Sequence, residues 1–397
     1  MHLPTSQQSR INEIDALRAI ALCGILMMNI MSFAGSYLAA PEPSLVYTGV
    51  WNERALWFIN SFVTSSFFTM FSFLFGLSFY LFISRAEQKV ERPNMLFARR
   101  LIVLLIIGVL HGVFIWYGDI LTMYAITGFW LILFVRVKPI VNLVVPIVIF
   151  GIGTIVILGL TVLLQGFEGE FVASPDEAAA LFEFDLNNVM HNGSYLDLIG
   201  ANATFFGLNL VGIVVMLPII LAMFLLGLYT GQRDLHNTYQ THIKKISIFG
   251  IIALAIGIPI KLYTGHAMTY TTDIVTETLS LLSYTLGGPL VALGYMAIFI
   301  VILHKLPVFV RFLQPAGQMA LTNYLMQSVF MVFFFRLTHL YDQMDAIYFV
   351  PFSLAFFIIQ VLLSHVWMKY FKFGPFEWIW RMLTYMQFVP LRRQNER

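Results

Sequence analysis

Leu110–Gly128, LHGVFIWYGDILTMYAITG, decides how the whole chain is read. It places a histidine, a tryptophan, two tyrosines and an aspartate in a chain that is otherwise almost all hydrocarbon. An imidazole and a carboxylate near the end of an apolar helix are costly to keep in a bilayer, so ionisable groups there are functional candidates. His111 and Asp119 come first, with Trp116, Tyr117 and Tyr124 crowded beside them. A buried histidine is more often a satisfied hydrogen-bonding group than a catalyst, and a ring of aromatics shifts that balance toward function. Asp119 has two readings: it orients His111 as a general base, or it caps the helix that starts after Gly118.

Working outward, 59% of the 397 residues are hydrophobic and 11% charged, where a soluble protein would carry about a quarter charged. About ten continuous apolar runs, each near the ~20 residues that cross a bilayer as helix, predict an all-α, polytopic membrane bundle. They cover 14–34, 58–84, 99–117, 119–136, 139–164, 203–230, 246–264, 279–303, 318–337 and 347–370. Most of the 23 Lys and Arg residues fall in segments that a cytoplasmic N-terminus places inside, Arg85 to Arg100 and the C-terminal end above all. Arg54, Lys261 and Arg336 are then assigned outside, and both termini are expected in the cytoplasm. A cleaved leader ending near Ser36–Ala40 is disfavoured, because no compact basic region precedes the apolar run. The net charge of +2 gives no reason to expect nucleic acid as a partner; membrane lipids are the expected partners, and a homodimer is compatible. One cysteine, Cys23, allows neither a disulfide nor a cysteine metal site, and no metal cofactor is expected.

The chain reads as a single transmembrane domain, 1–397. Residues 10–136 form its N-terminal four-helix part with the candidate site, 165–200 an external acidic loop, and 311–385 a C-terminal part with an interfacial helix at 375–386. In the first run, Asp15 and Arg18 are three apart on one helix face and can pair, while Asn29 shares roughly that face about 21 Å further along. Ser72, Gly76 and Ser78 suit close packing in the second run. The basic pair Arg99 and Arg100 serves orientation, or receives the phosphates of a cytosolic ligand. A short surface helix is expected after Ser174-Pro175 in the acidic loop, and Pro146, Pro218, Pro259 and Pro289 mark bends. His236 and His242 have no metal-ligand spacing and are expected at the surface. Gln318, Thr322, Asn323 and Gln327 fall near one side of the ninth run, either bonding neighbouring helices at about 1 kcal/mol each or lining a polar pocket. Glu377 and Arg381 are spaced as a helical ion pair, and Trp378 and Trp380 are expected at headgroup level.

Three stretches carry a family likeness: IDALRAIALCGILMMNI (14–30), LHGVFIWYGDILTMYAITG (110–128), and GQMALTNYLMQ (317–327) with FKFGPFEWIWRMLT (371–384). In order and spacing they resemble the YeiB family of bacterial inner-membrane proteins along essentially the whole chain. Ala19 stands where that family commonly has glycine. The family in turn resembles the transmembrane acyltransferases that include the heparan glucosaminide N-acetyltransferases. The shared pattern is an Asp, an Arg and an apolar run ending in Asn, matched here by Asp15, Arg18 and Asn29. Those enzymes also use a histidine in the loop after the Asn, whereas residues 30–57 here contain none.

The resemblance implies an integral membrane acyltransferase with acyl-CoA as cosubstrate. Beyond the resemblance, His111 is read as supplying the missing base from a different helix, so that His111, Asn29 and Asp119 are the catalytic candidates. Asp15, Arg18, Arg99, Arg100, Trp116, Tyr117, Tyr124, Asn323 and Gln327 bind substrate. The rival readings are a non-catalytic lipid- or quinone-binding protein and a transporter or flippase.

Overall fold

A computed structural model of the chain describes residues 11–35, 47–165, 186–271 and 273–393. The helices, in chain order, are α1 (Asn12–Phe33), α2 (Val50–Phe58), α3 (Ser66–Ala86), α4 (Pro93–Phe114), α5 (Leu121–Phe134) and α6 (Pro139–Leu164). Then follow α7 (Leu186–His191), α8 (Tyr195–Val211), α9 (Ile213–Gln232), α10 (Leu235–Thr238), α11 (Ile243–Tyr270) and α12 (Ile274–Ser280). The last are α13 (Gly288–Lys305), α14 (Pro307–Gln318), α15 (Ala320–Thr338), α16 (Phe349–Tyr370) and α17 (Pro375–Tyr385). Among the described residues, nine helical stretches are long and apolar enough to cross a membrane, and α5 is a shorter apolar one. The expected all-α polytopic bundle is what forms.

Local sequence explains the helix starts. A proline opens α4, α6, α14 and α17, where its missing N–H is not needed. Ser194 and Asp197 form a reciprocal capping box on α8, and Asp273 caps α12 through the Thr276 N–H. α1 is the centre of the bundle, with 78% of its span buried against 11% for α6, which faces outward. α1 packs on α3, α13, α14, α15 and α16. Gly317 permits the α14 contact, because a Cβ there would run into the Asp15 carbonyl.

Hydrogen bonds gather the helix ends into two opposite groups. At the end richest in Arg and Lys, Gln232 donates to the Val135 carbonyl (3.2 Å) and Trp380 Nε1 to the Arg100 carbonyl (2.8 Å). At the other, the Asp342 N–H reaches the Ala34 carbonyl (2.8 Å), and Arg336 reaches the Val189 carbonyl (3.1 Å) and Gly193.

The structure corrects several expectations. The run at 58–84 is broken by a π-helical turn, Ile59–Val63, and by Ser65 at φ 64°. The run at 203–230 is two helices divided at Gly212. Pro289 opens α13 after a second π turn, Ser283–Gly287. Lys261, expected outside, is wholly buried in α11 and joins both breaks. Its ammonium donates to the Asn60 and Thr64 carbonyls (2.7 and 2.6 Å) and to Ser283 Oγ (2.6 Å). His236 is tucked in, its side chain 6% exposed, while His242 is at the surface as expected. The Ser36–Ala40 segment and the surface helix expected after Ser174-Pro175 lie outside the described residues.

Candidate functional site

The central dyad forms at the end of the molecule away from the Arg and Lys cluster. α4 stops at Phe114, residues 115–120 are not helical, and α5 begins at Leu121, so Asp119 turns back against α4. A Cβ on Gly108 would collide with Thr122 and the Asp119 carboxylate; glycine there makes the approach possible. His111 Nδ1 donates to Asp119 Oδ1 at 2.9 Å, and Asp119 Oδ2 accepts the Thr122 N–H at 2.7 Å. Asp119 therefore does both jobs open to it, orienting the imidazole with one oxygen and capping α5 with the other. With Nδ1–H directed at Asp119, Nε2 is the ring nitrogen left to accept a proton. That atom is buried and has no partner among the described residues.

α8 covers this loop. Tyr195, Asn202 and Asn209, spaced seven apart on one face, donate to the carbonyls of Phe114, Ile115 and Tyr117 (2.6, 3.1 and 3.2 Å). Trp116 is buried against Phe33 of α1, ring centres 4.2 Å apart, and its Nε1 is without a partner among the described residues. Asn29 lies one turn before Phe33 and so shares its face of α1; it is half-buried. Tyr117 packs tilted against Phe205, ring centres 5.2 Å apart.

A cavity of about 260 Å³ opens at the opposite, basic end. Its mouth carries Asp15, Arg18, Arg85, Arg100, Glu377 and Arg381. Its deeper wall is apolar and ends at Ile120, Tyr124 and Tyr324. Asp15 and Arg18 pair as their spacing predicts, and Arg18 also bonds Ser78. Arg100 is fixed by stacking, its guanidinium carbon 3.7 Å from the Trp380 ring centre. Glu377 does not act as half of a simple helical pair. Its Oε1 accepts the Leu321 and Thr322 N–H groups (2.6 and 3.0 Å) and its Oε2 the Thr322 hydroxyl (2.6 Å), so it caps α15.

The predicted residues thus divide. Asp15, Arg18, Arg100 and Tyr124 line the cavity; His111, Asp119, Trp116 and Tyr117 belong to the dyad; Asn29 is on the α1 face beside Trp116. Arg99 is exposed and outside the cavity lining. Asn323 and Gln327 are outside it too: Asn323 donates to Ser364 Oγ (3.1 Å) and Gln327 to Gln360 Oε1 (2.9 Å), joining α15 to α16. The other two amide-run members divide from them because α14 ends at Gln318, which faces the cavity, while Thr322 meets Glu377. Ser72 does more than pack, since its hydroxyl meets the Tyr124 hydroxyl at 2.7 Å. Trp378 and Trp380 are bound into the fold, the first to the Val389 carbonyl at 2.6 Å.

Sequence reasoning missed Tyr324. Its ring is 5.3 Å from that of His111, its hydroxyl accepts the Ile120 N–H (3.3 Å), and it lines the cavity. Tyr324 therefore touches both the basic cavity and the dyad. Arg85 and Arg381 were legible only as orienting and pairing charges.

Fold and site define a polytopic helical membrane protein with an arginine-mouthed, apolar cavity and a buried His–Asp dyad. Residues 230–387 match the family model described as a protein of unknown function (DUF418). The chain is 30% identical over 414 positions, 99% of both chains, to an uncharacterized 39.9 kDa protein from the amylase 3′ region of Bacillus acidopullulyticus. It is 29% identical to the uncharacterized protein YxaH of Bacillus subtilis over 99% of this chain and 98% of that one. It is also 29% identical to the uncharacterized protein YeiB of Escherichia coli, over 94% of this chain and 95% of that one. The chain belongs to the YeiB family. No solved structure matches it.

Proposed function

We propose that the protein is an acyltransferase of the bacterial inner membrane that takes its acyl group from an acyl-CoA. The observation that carries this reading is the His111 imidazole: Nδ1 is tied to Asp119 and Nε2 is buried and open. That is the arrangement a general base needs.

Taking the basic end as cytoplasmic, as the Lys and Arg distribution implies, an acyl-CoA would place its phosphates among Arg18, Arg85, Arg100 and Arg381. Arginine suits that task because its planar fork meets phosphate oxygens in pairs. The apolar wall would take the acyl arm. For reaction, the Tyr324 ring must swing aside. An acceptor hydroxyl or amine then gives its proton to His111 Nε2 as its lone pair attacks the thioester carbonyl. The C–S bond breaks, and CoA leaves as a thiolate that takes the proton back. Asn29, on the α1 face beside Trp116, would donate an amide hydrogen to the carbonyl oxygen.

A second reading, binding of an anionic amphiphile without chemistry, is favoured by one observation: Tyr324 closes the cavity short of His111. Arg100→Gln with Arg381→Gln tests the donor site common to both readings. Equilibrium binding of a labelled acyl-CoA should weaken by at least tenfold, each arginine contributing about 1 kcal/mol or more. Unchanged binding removes the cavity from the account.

A further inference from the structure

A second depression, about 270 Å³, opens at the basic end between the C-terminal end of α14, the last turns of α16 and the chain that follows α17. Gln314, Gln318, His365, Lys369 and Arg393 line it. The returning chain delivers Arg393 to this place: its N–H bonds the Tyr370 carbonyl (3.0 Å), the Lys372 N–H bonds the Leu391 carbonyl (2.9 Å), and Phe371 pairs with Arg392. Arg393 Nε donates to the Phe371 carbonyl at 3.2 Å, and among the described residues nothing takes its two terminal NH2 groups. The Lys369 ammonium lies 5.9 Å from the Tyr370 ring centre. Neither cation pairs with a carboxylate among the described residues. His365 is already committed to the Phe312 carbonyl at 2.8 Å.

Two cations from separate parts of the chain line one depression, which suits an anion between them. What lies beside them says which anion. α16 carries Leu362 and Val366 exposed on the Lys369 face, and α14 carries Phe312 exposed with its ring centre 5.9 Å from that of His365, so an apolar face adjoins the charged depression. A free phosphate would use the charges and leave that face idle; a phospholipid uses both.

We infer that this depression holds the phosphate of an anionic phospholipid of the cytoplasmic leaflet, its acyl chains lying along α16. The Arg393 fork takes two phosphate oxygens, the Lys369 ammonium a third, and the Gln318 amide reaches the headgroup. Gln318 also lines the arginine-mouthed cavity, so this lipid sits one side chain away from it. The site stands on its own, whether or not acyl transfer occurs.

The test is competition between phosphatidylglycerol and phosphatidylcholine for the purified full chain in detergent, read by native mass spectrometry. The unaltered chain should retain phosphatidylglycerol by about tenfold over phosphatidylcholine, each basic side chain contributing a few-fold. Lys369→Gln with Arg393→Gln should erase the preference without changing the melting temperature in lipid-free micelles. If that pair fails to fold, each single substitution should still cut the preference several-fold. An undiminished preference in the variants overturns the inference. So does inorganic phosphate that stabilises the protein as well as phosphatidylglycerol does, because the site would then read a free anion.

Discussion

At the scale of single residues, Asp119 and Glu377 show how one carboxylate serves two ends. Asp119 bonds His111 and the first turn of α5 together. Asp119→Asn keeps the α5 cap, because the amide oxygen still accepts the Thr122 N–H, but its NH2 no longer holds the Nδ1 proton. The expected result is an unchanged melting temperature with turnover lowered on the order of 10²–10⁴-fold. A matching loss of stability would assign Asp119 a structural role only. Glu377 lies outside the spanning helices, and burial, the larger influence, raises its carboxyl above the usual 4.5, against the lowering bonds from Thr322 and Leu321. A carboxyl raised on folding stabilises fully below its unfolded value, and that contribution is lost as pH rises through the folded one. Glu377→Gln should therefore gain on the parent protein as pH climbs from 4.5 toward neutrality. Thermal melts across that range test it; a gap that stays constant with pH contradicts it.

At the scale of elements, Lys261 ties together two interrupted helices. The π turns at 59–63 and 283–287 leave carbonyls and a hydroxyl that the Lys261 ammonium satisfies. Lys261→Met removes three donated bonds at ~1 kcal/mol each, so the variant should lose roughly 3 kcal/mol of stability. Full stability in that variant would mean that the desolvation cost of the buried ammonium had offset its bonds. α8 acts on the site as a cover. Tyr195, Asn202 and Asn209 hold the loop that carries Trp116 and Asp119. Asn202→Ala should speed hydrogen exchange across 115–120 while α4 and α5 stay protected; equal exchange would show that α8 does not hold the loop.

At the scale of the whole molecule, the spans were legible because hydrophobicity over ~20 residues is a long, additive signal. The dyad was legible because two ionisable groups stood out against hydrocarbon. What was hidden depended on contacts between distant stretches. Tyr324 looks like any interfacial tyrosine until the fold puts it between His111 and the cavity. Asn323 and Gln327 share a spacing with Gln318 but not a face, because the helix breaks at Met319. Lys261 was assigned outside because charge counting sees the residue and not the carbonyls that receive it. Helix order and charge together predict that both ends of the chain face the cytoplasm. With Cys23 replaced by serine, a cysteine at Asn237 should react with a membrane-impermeant thiol reagent only in inverted vesicles, and one at Glu53 only in right-side-out cells; the reverse would invert the molecule.

The central claim is that His111 is the base of an acyl transfer fed from the arginine-mouthed cavity. The most direct measurement is acyl-CoA binding and CoA release by the purified protein, with His111→Ala beside it. The account predicts micromolar binding in both proteins and slow CoA release that the variant loses. Equal release by the two, or no binding at millimolar acyl-CoA, would contradict it.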